Sequence, residues 1–191
     1  MDSVDIIVGD IQEKQRRSTG RIVLAIDGAG GAGKSTVARL IRERLIQVSI
    51  VAMDDFYRPL NPDVRLQMSS EQRYQNFFDW QRLRMQVLED IHQKKSIRFQ
   101  QYDWAGNDLH DWTEMELCPV VVVEGIYVLR PELRPYYESS VVIKASQDSC
   151  VARLRSRGNS DEEIRMWQEA EAWYFSHIKP HEYCDFIIPG E

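Results

Sequence analysis

Cysteine is scarce in this chain. There are three, Cys118, Cys150 and Cys184, an odd number set far apart and with no C-x-x-C pair, so neither a disulfide framework nor a cysteine zinc site is implied. Long apolar runs are missing too: nothing approaches the roughly 18 residues of a membrane span. Asp2, Asp5 and Asp10 interrupt the N-terminal apolar residues and the basic residues follow them, unlike a secretory signal. The expectation is a soluble, cytoplasmic protein with no membrane partner. Positive charge is in deficit, 24 Lys and Arg against 30 Asp and Glu, for a net −6. That excludes the broad basic footprint of a nucleic-acid binder while leaving room for a local basic pocket. Ten Gly and seven Pro are too few for a collagenous or low-complexity chain.

What remains is ordinary globular composition, 43% hydrophobic and 28% charged over 191 residues, enough for one domain with a small appendage. Val4, Ile7, Val8 and Ile11 recur at helical spacing and predict an amphipathic helix within residues 1–19, an extension packed on the edge of a main domain at 20–191. Arg21–Ile26 reads as a short apolar strand, followed by a helix from about Ser35 whose apolar face is Val37, Leu40, Ile41 and Leu45. Val48–Met53 is a second strand, and Pro59 and Pro62 open a loop behind it. Trp80, Leu83, Val87, Leu88 and Ile91 mark another helix. Ile97–Trp104 reads as a short edge strand followed by a loop. The valine run Val120–Val123 is the pattern of a strand buried on both faces, and Val141–Ile143 makes a fourth. A helix through Cys150, Val151 and Leu154 follows. Ser160 and Glu163 form a capping box opening a helix with the stripe Ile164, Trp167, Ala170, Tyr174 and Ile178, stopped by Pro180. Phe186–Ile188 is the last strand. Strands alternating with helices imply an α/β fold, a parallel sheet with helices on both faces.

Between the first strand and its helix lies Gly28-Ala29-Gly30-Gly31-Ala32-Gly33-Lys34-Ser35-Thr36, which satisfies G-x-x-x-x-G-K-[ST]. Glycines let the backbone wrap phosphate oxygens closely, and the helix N-terminus offers N–H groups and a positive dipole end. Lys34 has the reach for β- and γ-phosphates, and the Ser35 hydroxyl can ligate Mg²⁺. Gly28 to Thr36 are therefore the expected binding residues for a nucleotide, with ATP and Mg²⁺ as the expected cofactors.

Two acidic positions end predicted strands, the edge where open α/β sheets bind ligands. Asp54-Asp55 follows the second strand, and Asp54 is placed to accept a proton from an acceptor hydroxyl. Glu124 follows the valine run and can hold Mg²⁺ through water. Arg153, Arg155 and Arg157, just before Gly158, read either as a lid bringing cationic donors over a triphosphate or as a solvated helix face.

These segments resemble the uridine kinase and phosphoribulokinase group of P-loop kinases. The resemblance runs from Arg21 to Pro189 and rests on IDGAGGAGKST (Ile26–Thr36), MDDFYRP (Met53–Pro59), QYDW (Gln101–Trp104), VVVVEGIYVL (Val120–Leu129) and YCDFIIP (Tyr183–Pro189). It implies a P-loop NTPase fold with a five-stranded parallel sheet flanked by helices, like nucleoside monophosphate kinases. It implies Asp54 as catalytic base with Lys34, Arg153 and Arg157 in catalysis, and Glu124 and Ser35 near Mg²⁺. Asp54, Tyr57, Arg58, Tyr102 and Trp104 would form the acceptor site. The implied activity is transfer of the ATP γ-phosphate to a hydroxyl of a small metabolite, a nucleoside such as uridine or cytidine first. Nicotinamide riboside, pantothenate or a sugar phosphate are the other acceptors weighed. A non-kinase ATP-binding switch is the competing class, and a homo-oligomer is left open. The chain departs from the group at Asn107, where uridine kinases usually carry histidine, in the compressed RLRSRGNSDEE segment, and at Asn76–Trp80. These parts read base and ribose.

Two weaker patterns are set aside. Asp103-Trp104-Ala105-Gly106 matches D-x-x-G, but no N-K-x-D accompanies it. His177 and His181 are four apart with Pro180 between them, which does not make a zinc pair.

Overall fold

The computed structural model of the chain describes residues 2–190, so Met1 and Glu191, the outer bounds of the two expected regions, lie outside the described residues. In chain order the elements are α1 (Ser3–Arg17), β1 (Ile22–Gly28), α2 (Lys34–Arg44), β2 (Val48–Ala52), α3 (Pro62–Gln67), α4 (Ser70–Asn76), α5 (Trp80–Leu83), β3 (Ser96–Asp103), β4 (Asp108–Glu116), β5 (Val120–Glu124), β6 (Ser139–Lys144), α6 (Gln147–Ser156), α7 (Asp161–His177) and β7 (Phe186–Pro189). Five strands form one sheet in the order β2-β5-β1-β6-β7, every pair parallel. This is the expected five-stranded parallel sheet.

The alternation of side chains along the central strands divides the core in two. Ile22, Leu24 and Ile26 of β1, with Val120 and Val122 of β5, face a layer built from α1 and α2. Val23 and Ala25, with Val121 and Val123, face the other layer, which holds Tyr74 of α4, Leu83 of α5 and Tyr174 of α7. All five residues of β5 are buried, as the valine run demands. The N-terminal helix shares the sheet's own core: Ile7 and Ile11 are fully buried, and Ser139 at the start of β6 donates its hydroxyl to Asp10 at 2.7 Å.

The segment after the helix at Trp80 differs from the sequence expectation. Ile97–Asp103 is indeed strand, with Trp104 in the turn after it, but the strand belongs to no edge of the main sheet: it lies in β3, which pairs antiparallel with β4 as a separate two-stranded ribbon. Only Ile97, Phe99 and, past a bulge between Gln100 and Tyr102, Tyr102 of β3 are buried, while β4 is mostly exposed. Cross-strand pairing rather than core burial holds β4, so its apolar signal is faint. The ribbon's turn carries Trp104 and Asn107 toward the C-terminal edge of the sheet. The helix that begins at Trp80 also changes pitch, continuing as a π turn over Arg84–Leu88. No helix among the described residues is long and apolar enough to cross a membrane.

Candidate active site

The site is built on the ends of three adjacent parallel strands. β1 ends in Asp27, fully buried, whose carboxylate accepts N–H bonds from Gly28 (2.6 Å) and Leu129 (2.8 Å) and the Tyr174 hydroxyl (2.6 Å). Burial raises its carboxyl from the ordinary range, against the pull of those donors. The chain then turns through the glycine-rich loop into α2. Gly31 sits at φ +77°, where a Cβ would lie 2.7 Å from the Cys150 carbonyl oxygen; only glycine fits this turn against α6. Gly33, the N-cap of α2, has no side chain to occupy the first N–H groups of the helix, which stay available to an anion.

Charged side chains, one of them the loop's own, hold this loop by its peptide groups. Lys34 Nζ donates to the Ala29 carbonyl at 2.9 Å, and Arg153 Nη1 donates to the Gly31 carbonyl at 2.9 Å. Between them the Gly30 N–H donates to Glu171 Oε1 of α7 at 2.8 Å.

Neighbouring strands supply the acids. Gly125, at φ +153°, lies where a Cβ would stand 2.2 Å from that of Met53. This close approach lets the end of β5 run tight against the end of β2, bringing Glu124 and Asp54 to one place. Ser35 Oγ donates to Glu124 Oε1 at 2.8 Å. Burial raises the Glu124 carboxyl; Lys34 and the Ser35 hydroxyl oppose the rise, and Asp54 and Asp55 add to it. Asp54 follows β2 in a 3₁₀ turn, Met53–Phe56. Its side chain is open to a cavity, yet the protein around it pushes its carboxyl up, with Lys34 and Arg157 pulling the other way.

That cavity, about 210 Å³, brings together Gly30, Gly31, Lys34 and Ser35 of the loop, the acids Asp54 and Glu124, and Arg157. Trp104, at the turn of the ribbon, stands on its wall with Phe78 and Trp167. The expected site residues thus divide. Ala32, Gly33 and Thr36 border a separate depression beside α1, and Gly28 packs against Ile143. Ala29 reaches the site through its carbonyl. Arg157 is on the cavity wall, whereas Arg153 belongs to α6 and spends its guanidinium on the loop backbone.

Three of the expected acceptor-site residues are placed off the cavity wall. Tyr57 is fully buried and does not line the cavity. It forms the layer behind it, stacked on Trp104 with ring centroids 5.0 Å apart and packed against Trp167 at 5.6 Å. Tyr102 also lies behind Trp104 (4.9 Å) and donates its hydroxyl to Asn107 Oδ1 at 2.7 Å. Arg58 reaches Asp79 and Gln81, each at 3.4 Å. An aromatic core under Trp104 claims the two tyrosines, and an acidic helix cap claims the arginine.

The sequence reading assigned Trp167 to helix packing and did not single out Phe78 or Glu171. Trp167 does pack on Tyr57, but it also faces the cavity. Glu171 had a signal: Ile164, Trp167, Glu171 and Tyr174 fall on one stripe of α7, so a carboxylate interrupts an apolar face.

Comparison with known proteins agrees with this geometry. A family model described as an AAA domain matches residues 24–174. A uridine kinase from Shewanella amazonensis is 25% identical over 189 residues, covering 88% of this chain and 87% of that protein. A uridine kinase from Ureaplasma parvum is 28% identical over 179 residues, covering 89% and 84%. The solved structure of a "Possible Uridine Kinase" from Bacillus stearothermophilus superposes with a TM-score of 0.77 at 20% identity, covering 97% of this chain and 96% of that one. With the phosphate loop, the two strand-end acids and the parallel sheet all in place, the chain belongs to the AAA domain family and is similar to uridine kinases.

Proposed function

We propose that the protein transfers the γ-phosphate of ATP to a hydroxyl group of a nucleoside, with Mg²⁺. One observation carries this reading: the Asp54 carboxylate shares a single cavity with Lys34 and Ser35 of the phosphate loop. A nucleotide switch needs no base beside the terminal phosphate; a kinase does.

The residues fit Mg²⁺. The ion favours one or two carboxylates together with substrate phosphates, and the Ser35 hydroxyl and Glu124 carboxylate already meet at 2.8 Å. These two would hold it, and it would neutralise charge building on the phosphate oxygens. The chain's own groups do the rest. Backbone N–H groups of the loop at the start of α2 and the Lys34 ammonium grip the phosphates. Asp54 takes the proton of the acceptor hydroxyl as its oxygen bonds to the γ-phosphorus; the bond from that phosphorus to the bridging oxygen breaks and ADP leaves. Arg157 offsets the charge of the transferring group. The protein packed around the cavity raises the Asp54 carboxyl from the ordinary aspartate range, which suits a base.

The nucleoside reading rests on the aromatic wall. Trp104, Phe78 and Trp167 line the cavity, and aromatic rings suit the stacking of a planar base. Tyr57 behind Trp104 keeps that wall rigid. Both ends of the Asn107 amide are taken up within the protein, its oxygen accepting from the Tyr102 hydroxyl at 2.7 Å and its nitrogen donating to the Leu60 carbonyl at 3.1 Å, so base contacts from this position are not proposed. A soluble, cytoplasmic protein is consistent with it.

The test is ADP release with Mg-ATP across uridine, cytidine, purine nucleosides, nicotinamide riboside, pantothenate and sugar phosphates, with Lys34→Ala as the inactive control. A nucleoside should give the highest kcat/KM. Turnover only with a non-aromatic acceptor would overturn the nucleoside reading, and no acceptor-dependent turnover would overturn the kinase.

A further inference from the structure

Glu171 is 6% exposed, and its one hydrogen bond among the described residues is from the Gly30 N–H, in the phosphate loop. It has no salt-bridge partner among them. This is an unusual place for a carboxylate. A loop amide that could serve a phosphate is occupied by an anion from α7, and Glu171 stands on the cavity wall beside Lys34 and Asp54. Its surroundings do not favour charge: burial first, then Asp27 and Asp54, raise the Glu171 carboxyl against the pull of the Gly30 N–H and Lys34, to about 7. Its charge in turn raises Tyr127 and Cys150, and Glu124 and Arg157 stand on the same cavity wall.

We propose that Glu171 is a positioning residue of the phosphate loop and a proton-coupled gate on it: it holds the Gly30 amide as an anion when no phosphate is bound, and takes up a proton when one is. The inference rests on the nucleotide-binding reading of the loop and extends it. A phosphate chain placed against Gly30 and Lys34 would remove the two groups that stabilise the carboxylate and add negative charge beside it. Neutralisation relieves the clash at the cost of one proton from solvent. Protonation and nucleotide binding therefore support each other, so affinity falls as pH rises through the window above neutrality. Asp27 cannot play this part, because Gly28, Leu129 and Tyr174 saturate it.

The experiment is calorimetric titration of the full chain with Mg-ADP from pH 6.5 to 9, in pairs of buffers with different heats of ionisation. The wild type should take up a substantial fraction of a proton near pH 7.5, and its affinity should fall by up to about tenfold per pH unit above neutrality. Glu171→Gln keeps an acceptor for Gly30 without the charge. It should bind with the proton uptake largely gone and the affinity nearly level over the same range. Equal uptake in the two proteins, or none in the wild type, overturns the role of Glu171 while leaving the cradle intact. No binding of Mg-ADP by the wild type at any pH overturns the cradle and this inference with it. The wild-type proton count stands alone as a test if the variant does not fold.

Discussion

The Ser35 hydroxyl donates to the Glu124 carboxylate across 2.8 Å, tying the first turn of α2 to the last residue of β5. Two elements distant in sequence thereby fix one oxygen pair at the mouth of the phosphate loop. Glu124→Gln preserves the shape and an acceptor for Ser35 but removes the charge. The Mg²⁺ concentration for half-maximal activity should rise tenfold to a hundredfold, the range seen when groups holding a metal through water are lost. Burial disfavours the ionised side chain, so the variant's melting temperature should not fall. An unchanged Mg²⁺ requirement would remove Glu124 from the metal site.

Asp54→Asn addresses the proton transfer. Loss of a positioned base should lower kcat by about 10²–10⁴-fold with nucleotide affinity largely kept. Because the protein around the cavity raises the Asp54 carboxyl, the acid limb of the wild-type rate profile should lie above the ordinary aspartate value of about 4 and be absent from the variant. The same shift fixes the sign on stability. The folded state binds this proton more readily than the unfolded one, so the ionised group costs stability as pH rises past the unfolded value. Asp54→Asn should melt at the same temperature as the wild type, or higher, at pH 7. A clear drop in melting temperature, or wild-type kcat, would contradict the assignment.

Much of this was legible in the sequence where local pattern and tertiary role coincide. Val120–Val123 reads as a doubly buried strand because both its faces are in fact covered, and Gly28–Ser35 reads as a cradle because each glycine answers a backbone demand. The β3–β4 ribbon was not legible at β4, where Asp108, His110, Asp111 and Glu114 give a polar run that hydrogen bonding to β3 stabilises. Tyr57 and Tyr102 sit beside cavity residues in sequence, yet packing puts them behind Trp104; a motif names its neighbourhood and not which side of the wall each ring takes. Glu171 reads as one more acid on a helix, and only folding brings it to Gly30, 141 residues away.

The two arginines first grouped together should separate in experiment. Arg157 is exposed on the cavity wall and acts on Asp54 through its charge, so Arg157→Ala should lower kcat tenfold or more, about 1.4 kcal/mol of transition-state stabilisation, without altering the melting temperature. Arg153 holds the Gly31 carbonyl. Arg153→Ala should instead weaken nucleotide binding and cost about 1 kcal/mol of stability, as for a lost hydrogen bond. Single-turnover rates, nucleotide affinities and thermal melts of both variants make the comparison. Identical profiles would restore a shared lid.

The N-terminal helix is the last case, since the sequence made it an extension and its packing puts it in the core. Ile11 is fully buried against the sheet and Ile6, on the opposite face of α1, is 47% exposed. Ile11→Ala removes packed side-chain volume and should cost about 2–5 kcal/mol. At this chain length that lowers the melting temperature by about 2–4 °C per kcal/mol. Ile6→Ala, which opens no cavity, should stay within about 0.5 kcal/mol of the parent. Because α1 contributes nothing to the cavity wall, both variants should keep the parent's turnover per folded molecule at 25 °C. If Ile11→Ala and Ile6→Ala melt alike, α1 is an appendage with its own stability; a single shifted transition for Ile11→Ala means that helix and sheet unfold together, as their common core requires.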